Sequence, residues 1–215
     1  AASDVYKSQI DGSLSSDEKF NVLLRPTGKD KRWVKIKTSD AGNMLRTLDV
    51  YDTMIGGTLD VEATFDDAVD NNPLTGEAII RDYRLVDAPA LNKLVGEMTL
   101  ARLQEALQGD GLAFRKFSAP FVIKKGIVDI KNVKATGLSL GYTAKGKIFT
   151  RTEAIDIEGT VVPVYALNSV LGNIPIIGTL LTGTEYGIVI FASTYRIKCP
   201  FENTDVKVTP LSVLT

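Results

Sequence analysis

The chain contains no histidine. That removes the side chain most often used as a general base, as the orienting member of a nucleophilic triad and as a zinc ligand. A single cysteine, Cys199, cannot close an intrachain disulfide. Beside Pro200 and Phe201 it reads as a small apolar residue rather than a reactive thiol, and cysteine usage leaves the compartment open. No secretory signal pattern opens the chain, and no apolar run reaches the roughly 20 residues that a spanning helix needs. The opening "AASDVYKSQIDGSL" reads as mid-domain sequence, as expected for a fragment or mature segment of something longer.

The composition is that of a globular chain: 215 residues, 44% hydrophobic and 24% charged, with a formal net charge of −1. The charge is unevenly placed. Acidic residues outnumber basic ones 19 to 13 over residues 1–110, whereas basic residues lead 12 to 7 over residues 111–215. A basic back half points weakly toward an anionic surface. Its lysines and arginines are spread singly along strand-like segments, which argues against a nucleic-acid partner.

Period-two alternation dominates. "SLGYTAKGKIF" sets Leu138, Leu140, Tyr142, Ala144 and Ile148 against Ser139, Gly141, Thr143, Lys145 and Lys147. "AIDIEGTVV" sets Ile155, Ile157 and Val161 against Asp156, Glu158 and Thr160, and "TLDVEATF" sets Leu59, Val61, Ala63 and Phe65 against Asp60, Glu62 and Thr64. Each is an antiparallel strand with one wet face. "KFSAPFVIKKG" and "GIVDIKNVKATG" add two strands around a Lys125-Gly126 turn, with the next turn at Gly137; Pro120 marks an edge, a bulge or a bend. A meander opens the chain, with turns expected at Asp11-Gly12 and between Pro26 and Lys31.

Helices are few. Ser39 or Asp40 would cap one running to Asp49; a second follows Pro89; a third, around Leu100 to Leu107, stops at Gly109. The last helical region is entered through "VVPVYALN", with Pro163 in its first turn. It continues as "LNSVLGNIPIIGTLLTG", 17 uncharged residues from Leu167 to Gly183. As one helix these would be about 25 Å long, short of a hydrocarbon core of about 30 Å. Gly172-Asn173 and Pro175 divide them into two short helices.

Catalytic signals are thin. "GDG" (Gly109 to Gly111) and Gly56-Gly57 lack the strand-to-helix setting of a nucleotide loop and read as turns. Asp66 and Asp67 are neighbours, hence on opposite faces of any strand, and read as solvated strand ends. No enzyme activity, cofactor or metal is expected.

Roughly ten strands sharing one apolar face need a cover, whether more sheet, helices or something that is not protein. Here the order of motifs adds to the pattern. "GTVVPVYALN", a short apolar segment with "IPIIGTLLTG", a tyrosine-containing strand "YGIVIFASTYRIK" and a closing "VTPLSVL" follow one another over about 100 residues. In this order they resemble the C-terminal region of the AsmA-like superfamily, which includes TamB and YhdP. Residues 50–110 fit more loosely, and the first 50 show only strand grammar.

The resemblance implies a mainly β fold with short helices (α+β): a long twisted antiparallel β-sheet forming a half-open β-groove, with helical insertions covering its end. Residues 1–50 would be the end of a preceding groove repeat. Residues 51–215 would be the AsmA-like C-terminal groove domain, with an apolar helical hairpin near 163–183. The implied setting is the Gram-negative periplasm, in a protein anchored in the inner membrane by a segment this chain lacks. The implied role is conduction of phospholipid between inner and outer membranes. A non-enzymatic outer-membrane assembly scaffold, binding an envelope protein partner through its C-terminal helices, is the alternative.

Expected to line the lipid track are Phe121, Ile123, Leu140, Tyr142, Ile155, Ile157, Val161, Phe191 and Tyr195, in contact with phospholipid acyl chains. Val170, Leu171, Ile174, Ile176, Ile177, Leu180 and Leu181 are expected to dock on a membrane interface or a partner, or to plug the end of the sheet.

Overall fold

A computed structural model gives the fold, and it describes residues 8–13, 19–98, 101–163, 192–200 and 206–210. Among these residues eleven strands form one sheet: β1 (Ser8–Ser13), β2 (Lys19–Gly28), β3 (Lys31–Thr38), β4 (Met54–Asp66), β5 (Leu74–Leu85), β6 (Leu112–Lys124), β7 (Ile127–Gly137), β8 (Leu140–Phe149), β9 (Ala154–Pro163), β10 (Ser193–Pro200) and β11 (Val206–Pro210). Each strand pairs antiparallel with its neighbours in sequence, so the spatial order is the chain order, with β1 and β11 at opposite edges. The sheet runs without a break across residue 50, because β3 pairs with β4 from Lys31–Asp66 to Thr38–Leu59.

Among the described residues three helices interrupt the meander: α1 (Ala41–Thr47), α2 (Pro89–Glu97) and α3 (Ala101–Gln108). Asp40 caps α1, its carboxylate accepting from the Asn43 amide at 2.9 Å. Pro89 opens α2, where a missing amide costs nothing. The Gly109 amide closes α3 on the Glu105 carbonyl. All three helices lie in connections at one end of the sheet, the end where Met54 pairs with Leu85 and Leu85 with Leu112. The long connection between Pro163 and Ser193 leaves from that end too, since Leu140 pairs with Pro163. At the opposite end the connections are shorter and carry no helix among the described residues.

Several local expectations are corrected. Asp11-Gly12 is not a turn: both lie within β1, opposite Asn21 and Phe20. Pro163 does not open a helix but ends β9, buried opposite Leu140. Gly56-Gly57 lies inside β4 rather than in a turn, with φ of 65° and 86°. A Cβ at Gly57 would stand 2.8 Å from the Cβ of Tyr83, so the strand kinks where only glycine fits. Leu138 is not on the apolar face: it sits in the β7–β8 turn, 57% exposed. Pro120 resolves as a bulge in a central strand, the β6–β7 register shifting between Ser118 and Phe121. The expected helical hairpin falls outside the described residues, apart from Pro163.

Candidate functional site

Register alone gathers the apolar residues on one face. Leu59, Ile80, Phe117, Ala135, Tyr142 and Val161 form one row across β4 to β9, each paired with the next. Phe65, Leu74, Ile123, Val128, Ile148 and Ile155 form a second row toward the helix-free end. Phe20, Val22 and Leu24 of β2, with Val34 and Ile36 of β3, extend the same face toward β1. The other face is polar. Lys35 bridges Glu62 and Asp60, Lys145 reaches Glu158 at 3.1 Å, and Arg196 reaches Asp156 at 3.0 Å.

Eight of the nine expected track residues share this apolar face. Leu140, Val161 and Tyr195 are buried in its closed part; Phe121, Ile123, Tyr142, Ile155 and Ile157 are half-buried. The ninth, Phe191, lies outside the described residues. So do the seven expected docking residues, Val170, Leu171, Ile174, Ile176, Ile177, Leu180 and Leu181.

The face has two regimes. Near the helices it is a packed core: Leu91, Leu94 and Val95 of α2 and Leu103 and Leu107 of α3 join Tyr83, Leu85, Leu112, Phe114 and Leu140. Away from the helices, Phe65, Leu74, Phe121, Val128 and Ile148 are half-buried, and among the described residues no second sheet stands opposite them.

Sequence alternation missed Tyr83 and Phe114, which anchor the closed part. Their rings stack at 5.2 Å, and Phe114 meets Tyr142 edge-on at 5.7 Å. Both are out of phase with the apolar residues further along their strands. Asp82 is at φ 55° opposite the Gly57 kink, and the β6–β7 register shifts between Phe114 and Lys116. The available signal was the glycine pair inside an otherwise regular strand pattern.

Among the described residues, polar side chains within this face are few: three phenols, with the hydroxyls of Thr38 and Ser193 buried beside Leu59 and Val161. Burial pushes the Tyr142 phenol up to about 12. Burial also raises Tyr83 and Tyr195, and the neighbouring Tyr142 phenol adds to both effects. The Tyr195 hydroxyl donates to the Thr143 carbonyl at 2.7 Å. Neutral phenols on an apolar wall bind; they do not supply a nucleophile at ordinary pH.

Among the described residues no group of three or more cysteine, aspartate or glutamate side chains converges as a metal would require, and no helix is long and apolar enough to cross a membrane. No family model, curated protein or solved structure matches the chain.

Proposed function

We propose that the chain is a lipid-binding module whose half-open, groove-like sheet holds phospholipid acyl chains along its apolar face. In the setting that the AsmA-like resemblance implies, it would be the C-terminal part of a periplasmic bridge conducting phospholipid between inner and outer membranes. The observation that carries this reading is the apolar face itself: continuous across the sheet, half-exposed beyond the helices, and without an opposing sheet among the described residues.

Curvature supports it. β5 and β11 are six strand spacings apart, about 29 Å on a flat sheet. α2, about 13 Å long, begins just after β5 yet packs against β11. The helix pair cannot be stretched out to reach that far, since the Asp87 amide bonds to the Leu107 carbonyl and α3 packs back on β6. A sheet curled around its apolar side brings β11 to the helix.

The energetics suffice without a catalytic group. Each CH2 moved from water onto such a face gains about 0.8 kcal/mol, so two acyl chains are retained by area alone, and a face lacking fixed polar partners lets them slide. The test is lipid extraction and mass spectrometry of the purified protein, with a photo-crosslinking residue at Phe121, Tyr142 or Ile155. Copurifying phospholipid and adducts at these positions are expected. A lipid-free preparation with no adduct at any of them would sink the reading.

A further inference from the structure

On the polar face, opposite charges meet across the strands. Lys37 reaches Asp60 at 3.0 Å, Lys145 reaches Glu158, and Arg196 and Lys198 converge on Asp156. Over β5 to β7, toward the helix-bearing end, the pattern reverses. Register sets Arg81 directly opposite Lys116, and Lys134, paired with Ser118, lies one diagonal step further on. Arg115 occupies the bulge beside Lys116, and Arg84 follows three residues after Arg81. All five are exposed. Among the described residues none of them has a carboxylate within ion-pair distance; Arg84 instead donates to the Asp110 main-chain carbonyl at 3.0 Å. Carboxylates border the patch, Asp82 and Asp110 along the chain and Glu77, bonded to Ser118, and Asp60 across the strands, but the five cations outnumber these four. Like charges placed opposite each other destabilise a sheet, so this arrangement invites an external anion.

A second observation falls at the same place. Among the described residues, Ile55 and Leu138 are large hydrophobic side chains that stand exposed, and both lie at this end of the polar face. Ile55, Arg84 and Ala113 form one row across β4 to β6, and the Leu138 amide bonds to the Ala113 carbonyl, placing Leu138 at the end of that row. Ile55 is 52% exposed beside the cations.

We infer that this end of the polar face docks on an anionic bilayer surface, with Ile55 and Leu138 entering the headgroup layer and Arg81, Arg84, Arg115, Lys116 and Lys134 lying over lipid phosphates. Exposed apolar side chains among unpaired cations are the combination a charged lipid interface rewards. A soluble polyanion would match the charges and leave Ile55 and Leu138 in water. The inference does not rest on acyl chains occupying the opposite face; it concerns where the module sits, not what it carries.

The experiment is co-sedimentation of the chain with vesicles of mixed phosphatidylglycerol and phosphatidylcholine, against vesicles of phosphatidylcholine alone. Binding to the mixed vesicles is expected, weakening as salt shortens the screening length. At roughly fivefold per cation, Arg81→Gln/Lys116→Gln/Lys134→Gln should lose about 100-fold in partitioning. The control Lys37→Gln/Lys145→Gln/Lys198→Gln, equal in charge change but drawn from paired lysines, should lose no more than about fivefold. Ile55→Ser/Leu138→Ser should weaken what binding persists at high salt. All eight positions face solvent, and thermal unfolding of each variant checks that the fold is kept. Equal losses in the two triple variants overturn the inference, and so does equal binding to both vesicle types. Patch-dependent binding to polyglutamate without vesicle binding would assign the surface to an acidic protein instead. Any lipid that copurifies should be unchanged in the patch variant, which separates this result from the acyl-chain reading.

Discussion

The Tyr195 hydroxyl crosses over Gly159 to reach the main-chain carbonyl of Thr143, two strands away, at 2.7 Å. A Cβ at position 159 would stand 1.9 Å from that carbonyl oxygen and 2.8 Å from the hydroxyl. Gly159→Ala therefore overpacks a tightly filled site, at a cost of about 1–3 kcal/mol. Tyr195→Phe loses one internal hydrogen bond, about 1 kcal/mol. The two changes should not add, because the alanine already displaces the phenol. Urea unfolding of the two single variants and the double variant measures this; full additivity would show that the two residues act separately.

Tyr83 makes the opposite case. It is as buried as Tyr195, yet its hydroxyl lies near the Tyr142 phenol without meeting hydrogen-bond geometry, and it has no partner among the described residues. Removing an unpaired buried polar atom relieves its desolvation cost. Tyr83→Phe is expected to be neutral or to stabilise by up to about 1 kcal/mol, in contrast to the loss for Tyr195→Phe. A loss as large as that of Tyr195→Phe would mean the Tyr83 hydroxyl is bonded in solution.

The same phenols set an alkaline limit. In the unfolded chain tyrosine titrates near 10, whereas in the fold burial raises Tyr83, Tyr142 and Tyr195, Tyr142 to about 12. Above pH 10 the unfolded state binds fewer protons than the native state, so stability falls as pH rises. Their stabilising contribution is fully present below pH 10, and each phenol then removes about 1.4 kcal/mol per pH unit until its own folded value is passed. Denaturant midpoints between pH 9 and pH 11.5 should show this slope, and Tyr142→Phe should reduce it by about one proton's worth. An unchanged slope in that variant would mean that the Tyr142 phenol is in contact with water.

Much of this architecture is legible in the sequence, because period-two alternation is a direct consequence of the pleat. Leu140 and Tyr142 of β8 and Ile155, Ile157 and Val161 of β9 fall on one face as their spacing requires. The capped start of α1 and the stop after α3 follow from Asp40 and Gly109. Alternation fails where the backbone inserts an irregularity. Gly57 and Asp82 flip the phase that hides Tyr83, and the bulge at Arg115 hides Phe114. Asp11-Gly12 looked like a turn because the dipeptide favours one, yet cross-strand pairing with Asn21 and Phe20 overrides that local preference. The cationic patch depends on which residue faces which across β5 to β7, and register is a property of paired strands that no single segment contains.

The two regimes of the apolar face should differ in what truncation costs. Phe114 is 2% exposed and packs between Tyr83 and Tyr142, so Phe114→Ala opens a cavity and should cost about 3–5 kcal/mol. Phe121 lies on the same strand and the same face but is half-buried, beyond the reach of the helices. Its ring gives up fewer protein contacts when removed, so Phe121→Ala should cost less than about half as much as Phe114→Ala. The order should reverse for ligand retention: Phe121→Ala should lower the lipid recovered per mole of folded protein, whereas Phe114→Ala should act through the fold. Equal destabilisation by Phe114→Ala and Phe121→Ala in lipid-free protein would mean that protein covers the far end of the face, leaving no open surface for an acyl chain.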